Sequence, residues 1–518
     1  MAITKVHLLS IHLENDYKHT LFFENESAQS TYFQGKIKHS FTDFTYQRKD
    51  NKIRIGAEYD TIFDCNYVMY QNTAYSNKWF YCFITDMKYI SEGVTEIYIE
   101  TDVIQTYMFD IEIKKSFIER EHTKDDTIGL NTVPEGLETG EYVCNELFID
   151  ENLRDYTYIL SVTENIADPD NPIYATNFGG VWTAGGAFVS DNITNIISLI
   201  REYDISHQLS SDAIVNFYMV PKKIVVDSNP NTLLFEGMAN PATYEIETNK
   251  QTSLQGYIPK NNKLLCYPYN YLLLSNNAGS SNILRYELFS SGKCTFEVEG
   301  VPTVGGSIKC VPMNYKGLRR IQEEGIMCGK FPTLSWSQDA YTNWLTVNAV
   351  NNTVGFATDG LKVIGGIVGA VASSPTGIGA VAGVGTAISG VNGIVDRLVN
   401  IHQQSFTPNS ARGNINGGDI NTCYKMNTFY MYKMSIKSEY ARIIDEFFTM
   451  FGYKTHRVKI PNKNHRKRFW YTKTVDCEID GKIPQKDLEK IKNCYNNGIT
   501  FWRDASEIGE FNLDNPIV

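Results

Sequence analysis

Glu119, Arg120, Glu121 and His122 set two carboxylates, a guanidinium and an imidazole side by side, the groups of general acid–base chemistry. That chemistry needs an acid and a base within reach of one substrate atom. On an extended chain, adjacent side chains point to opposite faces, so this spacing builds no acid–base pair. It suits hydrogen bonding or contact between subunits instead. Other reactive patterns are missing from the text. No G-x-S-x-G or H-E-x-x-H occurs, and Gly292-Lys293 and Gly329-Lys330 lack the upstream glycine and the following Ser or Thr of a phosphate-binding loop. The nine histidines are dispersed, none at i, i+4 spacing with another on a helix, and the ten cysteines include no C-x-x-C pair. The expectation is a non-enzyme with no cofactor and no metal, its cysteines free thiols made in a reducing cytoplasm.

One basic cluster stands out: Arg457, Lys459, Lys463, Arg466, Lys467 and Arg468, followed by Phe469-Trp470-Tyr471. Basic side chains interleaved with aromatic rings can hold single-stranded nucleic acid. The net charge of −11 argues against a dedicated nucleic-acid binder. A solvated turn, or a contact to acidic neighbouring subunits, is the reading preferred here, with passing contact to DNA left open.

The longest chemical signal is apolar. Val363 to Val395 holds 33 residues without Asp, Glu, Lys, Arg or an aromatic ring, and nine of them are glycine. The length exceeds the roughly 20 residues that span a bilayer as a helix. Glycine and proline make it a poor helix, at about 1 and about 3 kcal/mol per site against alanine. Pro375, within Ser373-Ser374-Pro375-Thr376-Gly377, marks a central turn. A permanent anchor would want flanking Trp, Tyr or Lys/Arg clusters, and a rigid buried hairpin would want larger side chains. The composition suits a sequestered, releasable membrane-active loop. Its membrane-inserting residues are expected to be Val363, Ile364, Ile367, Val368, Val371, Pro375, Ile378, Val381, Val384, Ile388, Val391, Ile394 and Val395.

The elements that must position these groups are mostly strands. Thirty-two Tyr and 27 Phe favour β structure, and 518 residues allow several cores. Strands are expected at Val6-His7-Leu8-Leu9, Lys52–Ile55, Tyr67–Tyr70, Trp79–Ile84 and Glu96–Glu100, with turns at Asn77-Lys78 and Glu92-Gly93. Thr101 is placed to cap a short helix carrying Val103, Ile104 and Tyr107. Further helices are expected at 192–203, from a cap at Ser337, from Ser438 to about 451 closed by Gly452, and after Pro484. Residues 422–436 alternate as a strand. The opening Met1-Ala2-Ile3-Thr4-Lys5 runs straight into a strand-like segment, so no signal peptide is read and synthesis in a host cytoplasm is expected.

Several blocks resemble one family. Asn77-Lys78-Trp79-Phe80-Tyr81, Asp102 to Asp110, and Ser116 to His122 are similar to the tail-knob proteins of small, protein-primed short-tailed phages (Picovirinae). Asp16-Tyr17-Lys18 with Thr20, and Asn131 through Glu135-Gly136-Leu137, fit the same pattern. So do Ile479 to Pro484 and Asn496 to Trp502 near the C-terminus. The resemblance covers both ends, about half of the chain, and thins in the middle. It implies an α+β, predominantly β fold whose β-barrel or sheet domains build a tube, with a small C-terminal α+β subdomain and a long apolar loop insertion. The partition it suggests is 1–145 (β-rich tube domain), 146–330 (second wall or outer domain), 331–352 (helix leading to the loop), 353–412 (membrane-active loop) and 413–518 (C-terminal α+β tube domain).

The function implied is a virion structural protein at the distal tip of the tail, a homohexamer bound to an upper tail or collar protein. Its loops would plug the lumen, then insert in the host membrane and open a channel for genome ejection. Transiting phage DNA would pass without sequence-specific binding. Two other classes remain as alternatives: a pore-forming toxin, and a receptor-binding or cell-wall-degrading tail enzyme.

Overall fold

The computed structural model describes residues 4–162, 176–199, 214–225, 238–300, 307–320, 333–335 and 428–518, apart from short gaps inside these ranges. The chain is α+β and mostly strand. Two compact units form. The first combines Met1–Gly140, Tyr257–Leu264 and Ser438–Val518; the second combines Glu141–Gly256 and Leu265–Lys437.

The first unit holds a seven-stranded antiparallel sheet. Its order is Ile37–Phe41, Thr4–Leu9, Tyr67–Asn72, Trp79–Ser91, Val94–Thr101, Lys52–Ile55 and Phe44–Gln47. Alternation sorts its side chains onto two faces. Tyr67, Met69, Tyr81 and Phe83 enter one apolar cluster, while Val68 and Cys82, offset by one residue, enter another with Val6, Leu8, Ile53 and Ile97. Gly93, at φ +71°, makes the expected tight turn between Trp79–Ser91 and Val94–Thr101.

The short helix after this sheet starts one residue later than expected. It spans Val103–Tyr107 and is capped by Asp102, whose carboxylate accepts from Gln105 N at 3.0 Å. Thr101 belongs instead to the preceding strand. Both residue types cap helices well, and pairing of Thr101 with Cys82 in the ladder decides between them. A second helix, Glu26–Gln34, has no clear apolar period in the sequence; Asn25 Oδ1 accepts from Ala28 N at 2.8 Å and starts it.

The C-terminal segment completes this unit. A five-stranded sheet runs His19–Leu21, Ile499–Trp502, Phe469–Asp476, Ser116–Glu121 and Tyr453–Lys459, with the first two strands parallel. Phe469, Trp470 and Trp502 are fully buried here beside Ile491 and Tyr495. Burying each large ring contributes about 1.5–3 kcal/mol or more relative to exposure. The helices Ser438–Phe451 and Gln485–Asn497 fall where the sequence places them, each followed by a positive-φ glycine, Gly452 and Gly498.

Among its described residues the second unit is sheet apart from short 3-10 turns and helical residues at 194–195 and 198–199, within the helix expected at 192–203. Tyr142–Ile149, Tyr430–Ile436, Asn270–Ser275 and Ser281–Leu284 form one sheet in that order. Ala242–Asn249, Lys293–Gly300 and Ser307–Tyr315 form another, extended by Leu318–Arg320 and by Thr333–Ser335, both paired with Ser307–Tyr315. Leu272, Phe296, Val298, Ile308, Phe429 and Met431 share its core. The beginning of the segment expected as a helix over 331–352 is therefore extended at Thr333–Ser335, where Leu334 pairs with Ile308. The helix expected from Ser337 lies outside the described residues, as does most of 192–203.

Candidate functional site

The expected membrane-inserting residues, Val363 to Val395, lie outside the described residues, but the elements on either side of them are well defined. Before the run, Thr333–Ser335 adds to the ladder of Ser307–Tyr315, with Ser307 opposite Ser335. After it, Tyr430–Ile436 lies between Tyr142–Ile149 and Asn270–Ser275. Both elements belong to the second unit, on separate sheets.

The returning strand is held tightly. Thr428 Oγ1 donates to Asp150 O, and Asp150 N donates to Phe429 O at 3.0 Å. The Asp150 carboxylate accepts from Tyr244 OH at 2.6 Å and Asn152 N at 3.1 Å. Phe429 is completely buried, Lys433 pairs with Glu146 at 2.7 Å, and Asn145 Nδ2 donates to Ser435 Oγ at 2.8 Å. A mid-sheet strand fixed by hydrogen bonds and a buried ring makes a firm boundary after 336–427.

The charged motif at 119–122 occupies the strand Ser116–Glu121, between Phe469–Asp476 and Tyr453–Lys459. Glu119 pairs with Lys473 at 2.8 Å. Arg120, Glu121 and His122 are all buried, although neighbouring side chains diverge, because a register shift after Ile118 accompanies contacts from several segments. Arg120 donates to Gly452 O at 2.7 Å and forms an ion pair with Glu135. Lys263 pairs with the other oxygen of Glu135, which also accepts from Lys454 N at 3.0 Å. Glu121 pairs with Lys459 and accepts from Asn462 N at 3.0 Å; burial still pushes its carboxyl upward.

His122 accepts from Tyr471 N at 2.8 Å on Nδ1, which leaves Nε2–H to donate to Thr449 O at 3.0 Å. Burial, then the nearby Arg466 guanidinium, lowers its pKa to about 3, so the ring is neutral. Every group of the motif is thus committed to a partner of its own chain. The arrangement joins segments of the chain.

Much of the basic cluster is also turned inward. Lys459 serves Glu121, Arg466 donates to Thr123 O and Asn515 O, both at 3.2 Å, and Arg468 pairs with Glu507 at 2.9 Å. Arg457, Lys463 and Lys467 are exposed. The expected solvated turn therefore applies to half of the cluster; the other half satisfies carboxylates and backbone carbonyls of its own unit.

Sequence reading missed the partners that organise these contacts. Glu135 stands out in the sequence only within a family-like block, and Lys263 and Asp445 carry no pattern. Asp445 sits on the inner face of helix Ser438–Phe451. It accepts from Tyr257 OH at 2.7 Å, Lys260 N at 2.7 Å and Asn261 N at 3.0 Å, fixing Tyr257–Leu264 within the first unit. An acidic residue among Ile444, Phe447 and Phe448 is the available signal, since a charge on an apolar face demands a buried partner.

A family described as the C-terminal domain of the tail knob protein gp9 of Bacillus phage phi29 matches residues 237–516, more than half of the chain. The chain belongs to the phage tail knob protein family. A second family, the N-terminus of the caudoviral major tail protein, matches residues 2–114, which contain the seven-stranded sheet. Tail knob proteins gp9 of Bacillus phages PZA, phi29 and B103 are 26%, 25% and 26% identical, each alignment covering 99% of this chain and 98% of the relative. The solved tail knob protein gp12 of bacteriophage C1 has the same fold, with a TM-score of 0.64, 14% identity, and coverage of 99% of this chain and all of that one. This tail knob protein is accordingly a structural component of the virion tail. Its apolar run falls inside the 237–516 match, and residues 115–236 lie between the two matches.

Proposed function

We propose that this tail knob protein forms the distal tube of the tail as a homohexameric ring under an upper tail or collar protein. In this reading the run 363–395 first plugs the lumen and then inserts in the host membrane as a channel for genome ejection. The observation that carries it is the uncharged run itself, 33 residues long, in a chain of a tail knob family. Exposing apolar surface to water costs about 25 cal/mol per Å². A ring gathers several such runs in one lumen, where each covers the others. Contact with the host, or genome pressure, then replaces mutual burial by lipid, where glycine-rich segments pack closely.

Two structural features support the reading. The elements bordering 336–427 are fixed in separate sheets, so rearrangement of the run need not break either ladder. The first unit exposes Phe117 (37%), Val458 (65%) and Val475 (59%), with Phe117 opposite Val458, as a surface suited to neighbouring copies. A net charge of −11 suits a wall along which DNA slides without being gripped.

The test is dye release from liposomes across a pH series, comparing the full-length protein with a variant whose 358–400 segment is replaced by a short Gly/Ser linker. Both are first sized for assembly. Release by the full-length ring alone, with the variant still assembled, is the expected result. If neither leaks, or the variant does not fold, the run is core and the membrane role is lost.

A further inference from the structure

The strand Ile37–Phe41 forms one edge of the seven-stranded sheet, with His39 at its centre opposite Leu8. After the short helix Tyr59–Ile62 the chain turns, Cys65 N donating to Ile62 O at 3.0 Å, and then enters strand Tyr67–Asn72. This turn carries Asp64 and Cys65 to His39. One donor atom from each, a ring nitrogen, a carboxylate oxygen and Sγ, lies within 4.8 Å of the other two. Cys65 Sγ is 3.7 Å from Asp64 Oδ1. Two ligands at zinc–sulfur and zinc–oxygen distances of about 2.3 and 2.1 Å stand about 3.6 Å apart in a tetrahedron, so these two atoms are already spaced as neighbouring ligands.

We propose that His39, Asp64 and Cys65 form a zinc site that ties the sheet edge to the 63–66 turn. The donor set is one imidazole, one carboxylate and one thiol, which suits zinc and is too soft for magnesium or calcium. Lys38 Nζ holds Asp64 Oδ2 at 2.5 Å and so orients the carboxylate while Oδ1 faces the thiol. On binding, Cys65 releases its thiol proton to solvent as the zinc–sulfur bond forms; His39 and Asp64 donate lone pairs, and water takes the fourth position. Sequence spacing concealed the set, because His39 and the Asp64-Cys65 pair meet only when the strand and the turn are folded together.

Cobalt titration of the full-length protein, stripped of metal and kept reduced, tests the site. The expected result is a near-ultraviolet thiolate-to-cobalt band with tetrahedral visible bands, saturating at one equivalent per chain and bleached by zinc. Cys65→Ser removes the near-ultraviolet band. His39→Gln keeps that band but weakens binding at least about tenfold. Circular dichroism and melting without metal establish that each variant is folded; because Cys65 is buried, His39→Gln carries the test if the serine variant does not fold. Absence of the band in the unaltered protein overturns the proposal. So does an unchanged band in Cys65→Ser, which would assign it to another thiol such as the exposed Cys144, or unchanged affinity in His39→Gln.

Discussion

The two units are closed by different forces. In the first, segments remote in sequence meet through buried charge: Arg120 and Lys263 converge on Glu135, and Asp445 gathers the backbone of 260–261. In the second, closure comes from strand ladders over an apolar core, and the ion pairs sit partly in water, as Lys433 with a 60% exposed Glu146. A buried charge is specific about its partner, because leaving it unpaired is costly. A ladder repeats the same backbone bonds along its length and asks little of the residues between its strands. The strands that border 336–427 on either side both belong to the unit built by ladders.

The contrast can be broken first at Glu135. Glu135→Ala removes the carboxylate shared by two buried cations and should cost about 3–5 kcal/mol in denaturant unfolding. A loss below about 1 kcal/mol would mean that the first unit does not depend on this junction. The matching cut in the second unit is Phe429→Ala, also about 3–5 kcal/mol, but through a lost ring and a cavity. Raised salt, read by hydrogen exchange, should change the penalty of neither buried site much, and a strong salt effect on Glu135→Ala would show that water reaches the network.

Acid sharpens the comparison. His122 is held neutral in the folded first unit, with its pKa lowered from 6.5 to about 3. Below about pH 6.5 the unfolded chain takes up a proton that the folded chain refuses, so this contribution is complete above that pH and is lost as pH falls toward 3. At pH 5 the loss is about 2 kcal/mol. His122→Asn, which keeps an acceptor for Tyr471 N, should flatten that part of the stability–pH curve; an unchanged slope would exclude His122 as its source.

Smaller effects separate close approach from conformation alone. Gly452 has φ +65°, and an added Cβ would lie 2.2 Å from Glu121 O, whereas Gly93 at φ +71° faces open space. Gly452→Ala should cost well over about 1 kcal/mol, and Gly93→Ala only about 1. Equal costs would remove the helix-to-strand approach from the argument. Lys293→Ala, at a half-exposed pair with Glu247, should change stability by less than about 0.5 kcal/mol.

What was legible followed from local rules. Aromatic and apolar runs placed the strands near Tyr67 and Trp79, alternation placed Glu96–Glu100, Gly93 marked its hairpin, and Ser438, Gly452 and Pro484 bounded two helices. The helix Glu26–Gln34 was missed because only Gln29 and Phe33 are buried, too few to make a period. The Thr101 cap shifted to Asp102 because ladder pairing, a nonlocal interaction, outweighed a local preference. Partners such as Glu135 with Lys263 leave no periodic trace, since each is chosen by where a distant segment arrives.

By itself the sequence determined the class of the chain, its tail knob family, the positions of several strands and of the two C-terminal helices, and an uncharged run of 33 residues that water disfavours. These depend on composition and short-range period, which do not change with folding. Only the tertiary structure decided that Ser438–Val518 completes the N-terminal unit, that the 119–122 charges are spent on junctions, and that His39 meets Asp64 and Cys65. Each of these is a contact between segments far apart along the chain, and its energy exists only once the intervening chain has brought them together.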